Sequence, residues 1–225
     1  MSTVRKLYDL AAANTALRFS PYCWRIKLAM AHKNLSFETI PWHFTDKDEV
    51  AFAGASKVPI LIDGETIIHD SQSIAEYLEV TYPNGPTLFN DPATRALTKF
   101  VKNWTEVTLH PAIARLVLPN IHAIIAPKDQ EYFRRTREAF YGETLEVMTG
   151  KHEQYLPAFQ AALVPIRNTL KAQQFLAGSG PTYADHIVFG ALQWAKLTST
   201  VPLLEADDPI ALWMHALLEG YGLAG

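Results

Sequence analysis

Short apolar runs and helix-spaced apolar positions alternate along the first part of the chain. Residues 6–10 predict a strand, and the small and polar residues 11–19 predict a loop. Ser20-Pro21 then opens a stretch in which Cys23, Ile26 and Met30 are spaced as on one helix face. The remaining elements predicted here are strands at 36–42, 58–63 and 66–69, and a helix at 70–81.

The rest of the chain has helical patterning only. The segment 82–86, with two prolines and a glycine, ends the preceding helix and predicts a linker. Thr182 and Asp185 have the spacing of a capping box. Helices are predicted near 92–120, 129–149, 153–174, 182–199 and 208–219. We therefore predict two domains, an α/β domain at 1–82 and an all-α domain at 92–225.

The charge balance and the residue counts exclude several classes of protein. The 20 Lys and Arg against 23 Asp and Glu leave no basic face for nucleic acid, so no nucleic-acid partner is expected. A single cysteine excludes an intramolecular disulfide, and the eight histidines lack zinc-ligand spacing, so we expect no metal. No run of 18 apolar residues occurs, and the first residues lack the apolar core of a signal peptide. We expect a cytoplasmic protein with no membrane partner.

Ser20 stands at the predicted N-terminus of the first helix, directly before Pro21. A serine there caps the helix by accepting a hydrogen bond from a backbone N–H. The same position favours anions, because free N–H groups and the helix dipole meet there. A capping hydroxyl still has its own proton to donate. Ser20 is therefore either a cap alone or a cap that also donates to a ligand thiolate.

Two further segments allow a structural and a functional interpretation. Pro59 within a short strand predicts an edge strand or a trans turn, unless the Val58–Pro59 bond is cis and turns the Val58 backbone outward. Asp70 and Ser71 at the start of the next helix are favourable capping residues. They also suit an α-amino acid group, because Ser71 can bind its carboxylate and Asp70 its ammonium.

Together these segments resemble the glutathione transferase superfamily over nearly the whole chain. Residues 20–23 (Ser-Pro-Tyr-Cys) stand where glutaredoxins have a CPYC redox pair, with serine replacing the first cysteine. Residues 58–59 match the family's cis-proline, 70–78 its γ-glutamyl-binding helix start, and 182–185 the capping box of its helical domain. The N-terminal segments look most similar to bacterial β-aryl-ether-cleaving transferases and their fungal relatives.

The resemblance implies a thioredoxin-like N-terminal domain, an α-helical C-terminal bundle, a homodimer, and glutathione as cosubstrate. It implies a serine-type transferase in which Ser20 holds the glutathione thiol as a thiolate for attack on an aromatic or aryl-ether electrophile. The glutathione site that it implies consists of Ser20, His43, Lys57, Val58, Asp70 and Ser71, with Pro59 as the structural cis-proline. The hydrophobic electrophile would contact Phe19, Trp104 and Leu116 between the domains.

Several alternatives stay open at this point. Tyr8 or Asn14 could also contribute to thiolate stabilisation, although a core tyrosine and a turn asparagine are the simpler interpretations. Cys23 lacks a partner at position 20, so a buried, unreactive thiol is expected. The competing functions are a non-catalytic binding protein on the same fold, a protein-interaction module, and glutaredoxin-like thiol transfer, which would need an exposed Cys23.

Overall fold

The computed structural model describes residues 4–224, which form an α/β part followed by a helical part. The α/β part contains β1 (Arg5–Leu10), α1 (Pro21–His32), β2 (Phe37–Trp42), β3 (Ile60–Asp63), β4 (Thr66–His69) and α2 (Ser71–Thr81). The helical part contains α3 (Pro92–Trp104), α4 (His110–Ile124), α5 (Pro127–Tyr141), α6 (Leu145–Gly150), α7 (His152–Ala172), α8 (Tyr183–Thr198) and α9 (Pro209–Tyr221). The predicted combination of an α/β part and an all-α part is confirmed.

The four strands form one mixed sheet in the order β2-β1-β3-β4. β2 runs parallel to β1, as expected for strands joined through helix α1, and β3 runs antiparallel to β1. β3 and β4 form the predicted hairpin around Gly64, whose φ of +61° suits a glycine. Because β1 lies inside the sheet, the residues that follow it are held between two neighbouring strands.

Side-chain caps define where several helices begin, because each satisfies backbone N–H groups that have no partner within the helix. The Thr182–Asp185 capping box at the start of α8 is confirmed, with both of its reciprocal hydrogen bonds present. The other capping side chains belong to Ser20 (α1), Asp70 (α2), Asp91 (α3), Thr144 (α6) and Asp208 (α9).

Two of the predicted helices were wrong in extent. The predicted helix near 92–120 is two helices, α3 and α4, joined by a π-helical turn at Thr105–Leu109. The predicted helix at 129–149 is broken at Gly142, whose φ of +71° ends α5 before α6 begins. A left-handed glycine is a common helix terminator, so the break has a local cause.

The apolar core extends across both parts of the chain. The larger cluster joins Leu10, Trp24 and Leu28 of the α/β part to Val117 and Phe189 of the helical part. A second cluster likewise combines sheet and α2 residues with two residues of α8. Helix α1 therefore packs between the sheet and α8, and the predicted boundaries of the domains at 82 and 92 stay a prediction.

Within residues 4–224, no helix has both the length and the apolar character needed to cross a membrane. Over the same residues, no cluster of three or more His, Cys, Asp and Glu side chains is arranged to hold a metal ion.

Candidate active site

The strand register brings the predicted site residues to one edge of the sheet. Tyr8 of β1 pairs with Ile60 at the start of β3, and Ile60 pairs with His69 at the end of β4. Leu10 of β1 pairs with Trp42 at the end of β2. Neighbouring strands lie about 4.8 Å apart, so the segments after β1, β2 and β4 and the one before β3 adjoin at this edge. These segments contain Ser20, His43, Lys57, Val58, Asp70 and Ser71.

Ser20 caps α1 at this edge and is 3% exposed. The Phe19 N–H donates to the Leu10 carbonyl at 3.3 Å, which holds the end of the 11–19 loop against β1. The Ser20 Oγ accepts a hydrogen bond from the Cys23 N–H at 3.2 Å. Because the hydroxyl accepts this bond, its proton stays available for an anion at the helix N-terminus.

Asp70 and Ser71 occupy the start of α2, and both also have capping or packing roles. The Asp70 Oδ1 accepts hydrogen bonds from the Gln72 and Ser73 N–H groups at 2.9 and 3.0 Å. Asp70 has a φ of +70°, which is an unfavourable backbone conformation for a side-chain-bearing residue. Such conformations occur preferentially at functional sites. Ser71 is 2% exposed, and its carbonyl accepts a hydrogen bond from the Tyr183 hydroxyl at 2.8 Å.

The segments before β3 and after β2 complete the edge. The Val58–Pro59 peptide bond is cis; Val58 is half-buried and Lys57 is exposed. The His43 Nδ1 lies 3.2 Å from the Asp46 carboxylate, so the imidazole has a fixed neighbour.

The segment after β2 is also tied to the helical part. The buried carboxylate of Asp129 in α5 accepts hydrogen bonds from the Phe44 and Thr45 N–H groups at 3.1 and 3.0 Å. Helix α5 therefore helps to fix the position of the residues next to His43.

Two family models match the chain. Residues 15–87 match the glutathione S-transferase N-terminal domain, and residues 96–207 match the glutathione S-transferase C-terminal domain. The chain belongs to the glutathione S-transferase superfamily. The predicted superfamily is thereby confirmed.

Curated transferases from plants and fungi align with parts of this chain. A probable glutathione S-transferase from rice, GSTU6, is 22% identical over 78% of this chain and 68% of its own length. Glutathione S-transferase U9 of Arabidopsis thaliana is 28% identical over 44% of this chain and 42% of its own length. The glutathione S-transferase-like protein ustS of Aspergillus flavus is 29% identical over 68% of this chain and 62% of its own length. The chain thus spans less than two thirds of two of these relatives.

Solved transferase structures from fungi share the fold over the full length. The glutathione transferase GSTFuA3 of Phanerochaete chrysosporium has a TM-score of 0.88 at 23% identity and covers 100% of both chains. CsGST63524 of Ceriporiopsis subvermispora, solved in complex with glutathione, has a TM-score of 0.87 at 25% identity and covers 99% of both chains. The predicted glutathione transferase fold, with its thioredoxin-like sheet, is confirmed, and the fungal neighbours agree with the predicted fungal relatives.

Cys23 is buried, as the sequence predicted. Burial raises the pKa of its thiol well above the usual value. The Sγ lies 3.8 Å from the Tyr8 carbonyl oxygen and faces the sheet. A protonated, inaccessible thiol is a poor nucleophile, so the geometry disfavours glutaredoxin-like exchange.

Arg25 of α1 contacts the candidate site and was not identified from the sequence. Its side chain is fully buried, with Nη1 3.5 Å from the Ser71 Oγ and 3.2 Å from the Glu106 Oε1. The guanidinium also lies 4.6 Å from the centre of the Tyr22 ring. Burial, with the nearby Arg25 charge, lowers the pKa of His110 to about 3, so this neighbour is uncharged. Arg25 thus connects Ser71 to Glu106 and the helical part of the chain.

The remaining residues predicted from the sequence lie in different environments. Phe19 and Leu116 are 2% exposed within the larger core, and Trp104 is half-buried at the end of α3. Their contact with an electrophile stays a prediction. The Asn14 Oδ1 accepts from the Ala16 N–H at 3.1 Å, which is the turn role that an asparagine commonly has.

A cavity of about 470 Å³ lies elsewhere, between α7, α8, α9 and the loop after α8. Its wall includes Leu192 and Ala195 but none of the predicted site residues. Gly190 of α8 faces α1, because a Cβ atom there would overlap with the Pro21 carbonyl oxygen. Leu192 follows Gly190 by about 200° of helical turn, so it lies on the face of α8 opposite to α1. We therefore place the candidate active site by its chemistry, at the sheet edge beside Ser20, and not by the size of a cavity.

Proposed function

We propose that the chain is a serine-type glutathione transferase in which Ser20 donates a hydrogen bond to the thiolate of bound glutathione. The observation that carries this proposal is the buried Ser20 hydroxyl at the start of α1, whose oxygen accepts a hydrogen bond from the Cys23 N–H, so that the hydroxyl can still donate its own proton. Membership of the glutathione S-transferase superfamily supports the choice of thiol. The complex of a similar fungal transferase with glutathione supports it further.

The interactions available at Ser20 are strong enough to hold the glutathione thiol as a thiolate. A free thiol has a pKa of about 8.5, so only roughly 3% is thiolate at pH 7. Lowering that pKa by about 2 units requires about 2.7 kcal/mol of preferential thiolate stabilisation. A hydrogen bond to an anion contributes about 1.5–3 kcal/mol, and a helix N-terminus about 0.3–1 kcal/mol. One hydroxyl at this position therefore suffices.

The other edge residues would hold the peptide part of glutathione. Ser71 and the N-terminus of α2 suit the γ-glutamyl carboxylate, and the Asp70 carboxylate suits the ammonium group. Val58 is half-buried and precedes the cis peptide bond, and its backbone N–H and C=O groups are the proposed partners of the glutathione peptide. His43 and Lys57 are the candidate partners of the glycine carboxylate.

The proposed reaction is a nucleophilic displacement at an aromatic or aryl-ether electrophile. The thiolate sulfur forms a bond to carbon as the bond from that carbon to the leaving group breaks. With an ether, the leaving aryloxide takes up a proton from water. The aromatic side chains Phe19 and Trp104 and the apolar Leu116 are the proposed contacts of the electrophile.

Turnover separates this proposal from the alternative of a non-catalytic binding protein. We expect glutathione binding by calorimetry and glutathione-dependent conversion of 1-chloro-2,4-dinitrobenzene or of a model β-aryl ether, followed by chromatography of the conjugate. Binding without turnover of any electrophile would favour the carrier function. No glutathione binding would contradict both functions and leave only the shared fold.

Replacing Ser71 by alanine should weaken glutathione binding by about 10-fold or more, because a hydrogen bond to a carboxylate contributes about 1.5–3 kcal/mol. The bound thiol should keep its pKa, since Ser71 faces the other end of the ligand. Calorimetry and ultraviolet titration measure the two quantities separately. The control variant is Ser73→Ala. Ser73 contributes its backbone N–H to the Asp70 cap, and alanine keeps that group. Unchanged affinity in Ser71→Ala would exclude the proposed γ-glutamyl contact.

We also propose a homodimer. Leu97 and Phe100 of α3 and Val107 of the π-helical turn are 65%, 69% and 76% exposed. Large apolar side chains grouped on one exposed face are typical of protein interfaces. Light scattering should give twice the mass of one chain, and a monomer mass at micromolar concentration would contradict the proposal.

A further inference from the structure

A buried ion pair lies behind the Ser20 site and has no part in the function proposed so far. Asp9 of β1 is fully buried, and Lys27 of α1 is 6% exposed. The Lys27 Nζ lies 2.9 Å from the Asp9 Oδ2 and 3.6 Å from the centre of the Trp24 ring. The ammonium is within ion-pair distance but off the hydrogen-bond direction, and neither Asp9 oxygen has another partner among the described residues.

The ion pair and Ser20 share one face of α1. Ser20, Cys23 and Lys27 follow one another at i, i+3 and i+7, so they lie on one side of the helix. That side faces β1, because the Cys23 Sγ lies 3.8 Å from the Tyr8 carbonyl oxygen. A sulfur beside the Ser20 hydroxyl is therefore about two helical turns from the Lys27 backbone, with the Asp9 carboxylate on the neighbouring strand.

Arg18 supplies a second cation at the same place. Its carbonyl accepts a hydrogen bond from the Trp24 Nε1 at 2.8 Å, which fixes the loop directly before Ser20. The Arg18 Nε and Nη1 are buried and have no hydrogen-bond partner among the described residues. The Asp9 charge acts favourably on Arg18 without a direct contact, and the cluster of Asp9, Arg18 and Lys27 carries a formal net charge of +1.

The Cys23 thiol, which is one helical turn from Ser20, responds to these charges. Besides burial, the Asp9 charge raises the pKa of Cys23, and the Lys27 charge lowers it. Burial lowers the pKa of Arg18, whereas the charges of Asp9 and of an ionised Cys23 would raise it. A second sulfur at the helix N-terminus would experience charges of the same signs.

The buried Asp9–Lys27 ion pair is not explained by its contribution to the stability of the fold. Buried ion pairs lose so much hydration that apolar replacements of similar volume are often neutral or stabilising. A low-dielectric surrounding strengthens the field that the charges exert on nearby groups. The cluster is therefore better suited to an electrostatic role than to a purely structural one.

We propose that the cluster of Asp9, Arg18 and Lys27 sets the electrostatic potential at the thiol of bound glutathione, with its net positive charge favouring the thiolate. The three residues are positioning residues that act on the sulfur through space from behind Ser20. This inference rests on the proposed function, since it requires glutathione to bind beside Ser20.

Variants that remove one charge at a time test whether each charge raises or lowers the pKa of the bound glutathione thiol. Ultraviolet titration of the thiolate in the glutathione complex should show a lower pKa in Asp9→Asn and a higher pKa in Lys27→Gln and Arg18→Gln. We expect shifts of roughly half to one unit, or about 3- to 10-fold in thiolate fraction. The double variant Asp9→Asn/Lys27→Gln should return close to the wild-type value, because the net charge is restored.

Opposite signs distinguish electrostatics from damage to the fold, which would shift all single variants in the same direction. Shifts of equal sign in Asp9→Asn and Lys27→Gln, or no shift in any variant, would overturn the inference. If circular dichroism shows that Asp9→Asn does not fold, the double variant decides the question: a thiol pKa close to the wild-type value supports the inference, and a shift as large as that of Lys27→Gln overturns it. A wild-type protein that binds no glutathione would instead overturn the proposed function, and this inference with it.

Discussion

Replacing Ser20 by alanine should raise the pKa of the bound glutathione thiol by about 1–2 units, because one hydrogen bond to an anion is lost. At about pH 5.5 and below, where the wild-type thiol is itself mostly protonated, kcat/KM should fall by about 10- to 100-fold, in proportion to the lost thiolate, and by less at neutral pH. The pH profile of kcat/KM should keep its rising form and move to higher pH by the same amount. Stopped-flow or steady-state rates across pH, together with ultraviolet titration of the complex, measure both effects.

The variant Ser20→Asp separates capping from thiolate stabilisation. Aspartate caps a helix as well as serine does, so α1 should keep its start. An ionised carboxylate has no proton to donate and would repel a neighbouring thiolate. Activity should therefore be lost more completely than in Ser20→Ala, although the free energy of unfolding changes little. A stable and active Ser20→Asp protein would leave Ser20 as a cap alone.

The positions of Ser20 and Asp70 at helix starts could be predicted because the signals for them are local in sequence. Ser20 and Asp70 cap the helices that they precede, so a few adjacent residues determine their positions. The hairpin and the alternation of strands and helices then bring these segments to one sheet edge. That step follows from topology rules and needs no knowledge of side-chain contacts.

Arg25 could not be assigned in this way, because its partners are distant in sequence. Ser71 is 46 residues away and Glu106 is 81 residues away. A charged residue inside a predicted helix is ordinarily interpreted as solvent-exposed, and no local pattern shows that α8 covers this face. Asp9 was missed for the same reason. Its partner Lys27 lies on α1, and the two side chains meet only when α1 packs on the sheet.

The π-helical turn between α3 and α4 was missed because its composition resembles that of a helix. Residues 93–110 contain no proline or glycine, so the pattern predicted one helix through this region. The extra residue of a π turn changes the register of side chains without a breaking residue. Here the turn places Thr105 inside the protein and Glu106 beside Arg25. Its effect on the site is therefore visible only in three dimensions.

Gly190 shows how closely the helical part constrains the position of Ser20. A Cβ atom at Gly190 would overlap with the Pro21 carbonyl oxygen and would lie 3.3 Å from the Arg25 backbone N. Both neighbours are backbone atoms of α1, so neither can rotate away as a side chain would. Gly190 therefore permits the close approach of α1 and α8, directly next to the capping residue.

Replacing Gly190 by alanine should lower the free energy of unfolding by about 3 kcal/mol, because α1 and α8 must separate to admit the methyl group. The separation displaces Pro21 and, with it, the Ser20 hydroxyl, so glutathione turnover should fall even where the protein remains folded. Chemical denaturation gives the stability change. The control is Gly220→Ala in α9, where a new Cβ meets no atom within 4 Å. Alanine there should be neutral or stabilising by up to about 1 kcal/mol, as its helix propensity predicts. Equal stabilities of the two variants would show that α1 and α8 are not held in contact at Gly190.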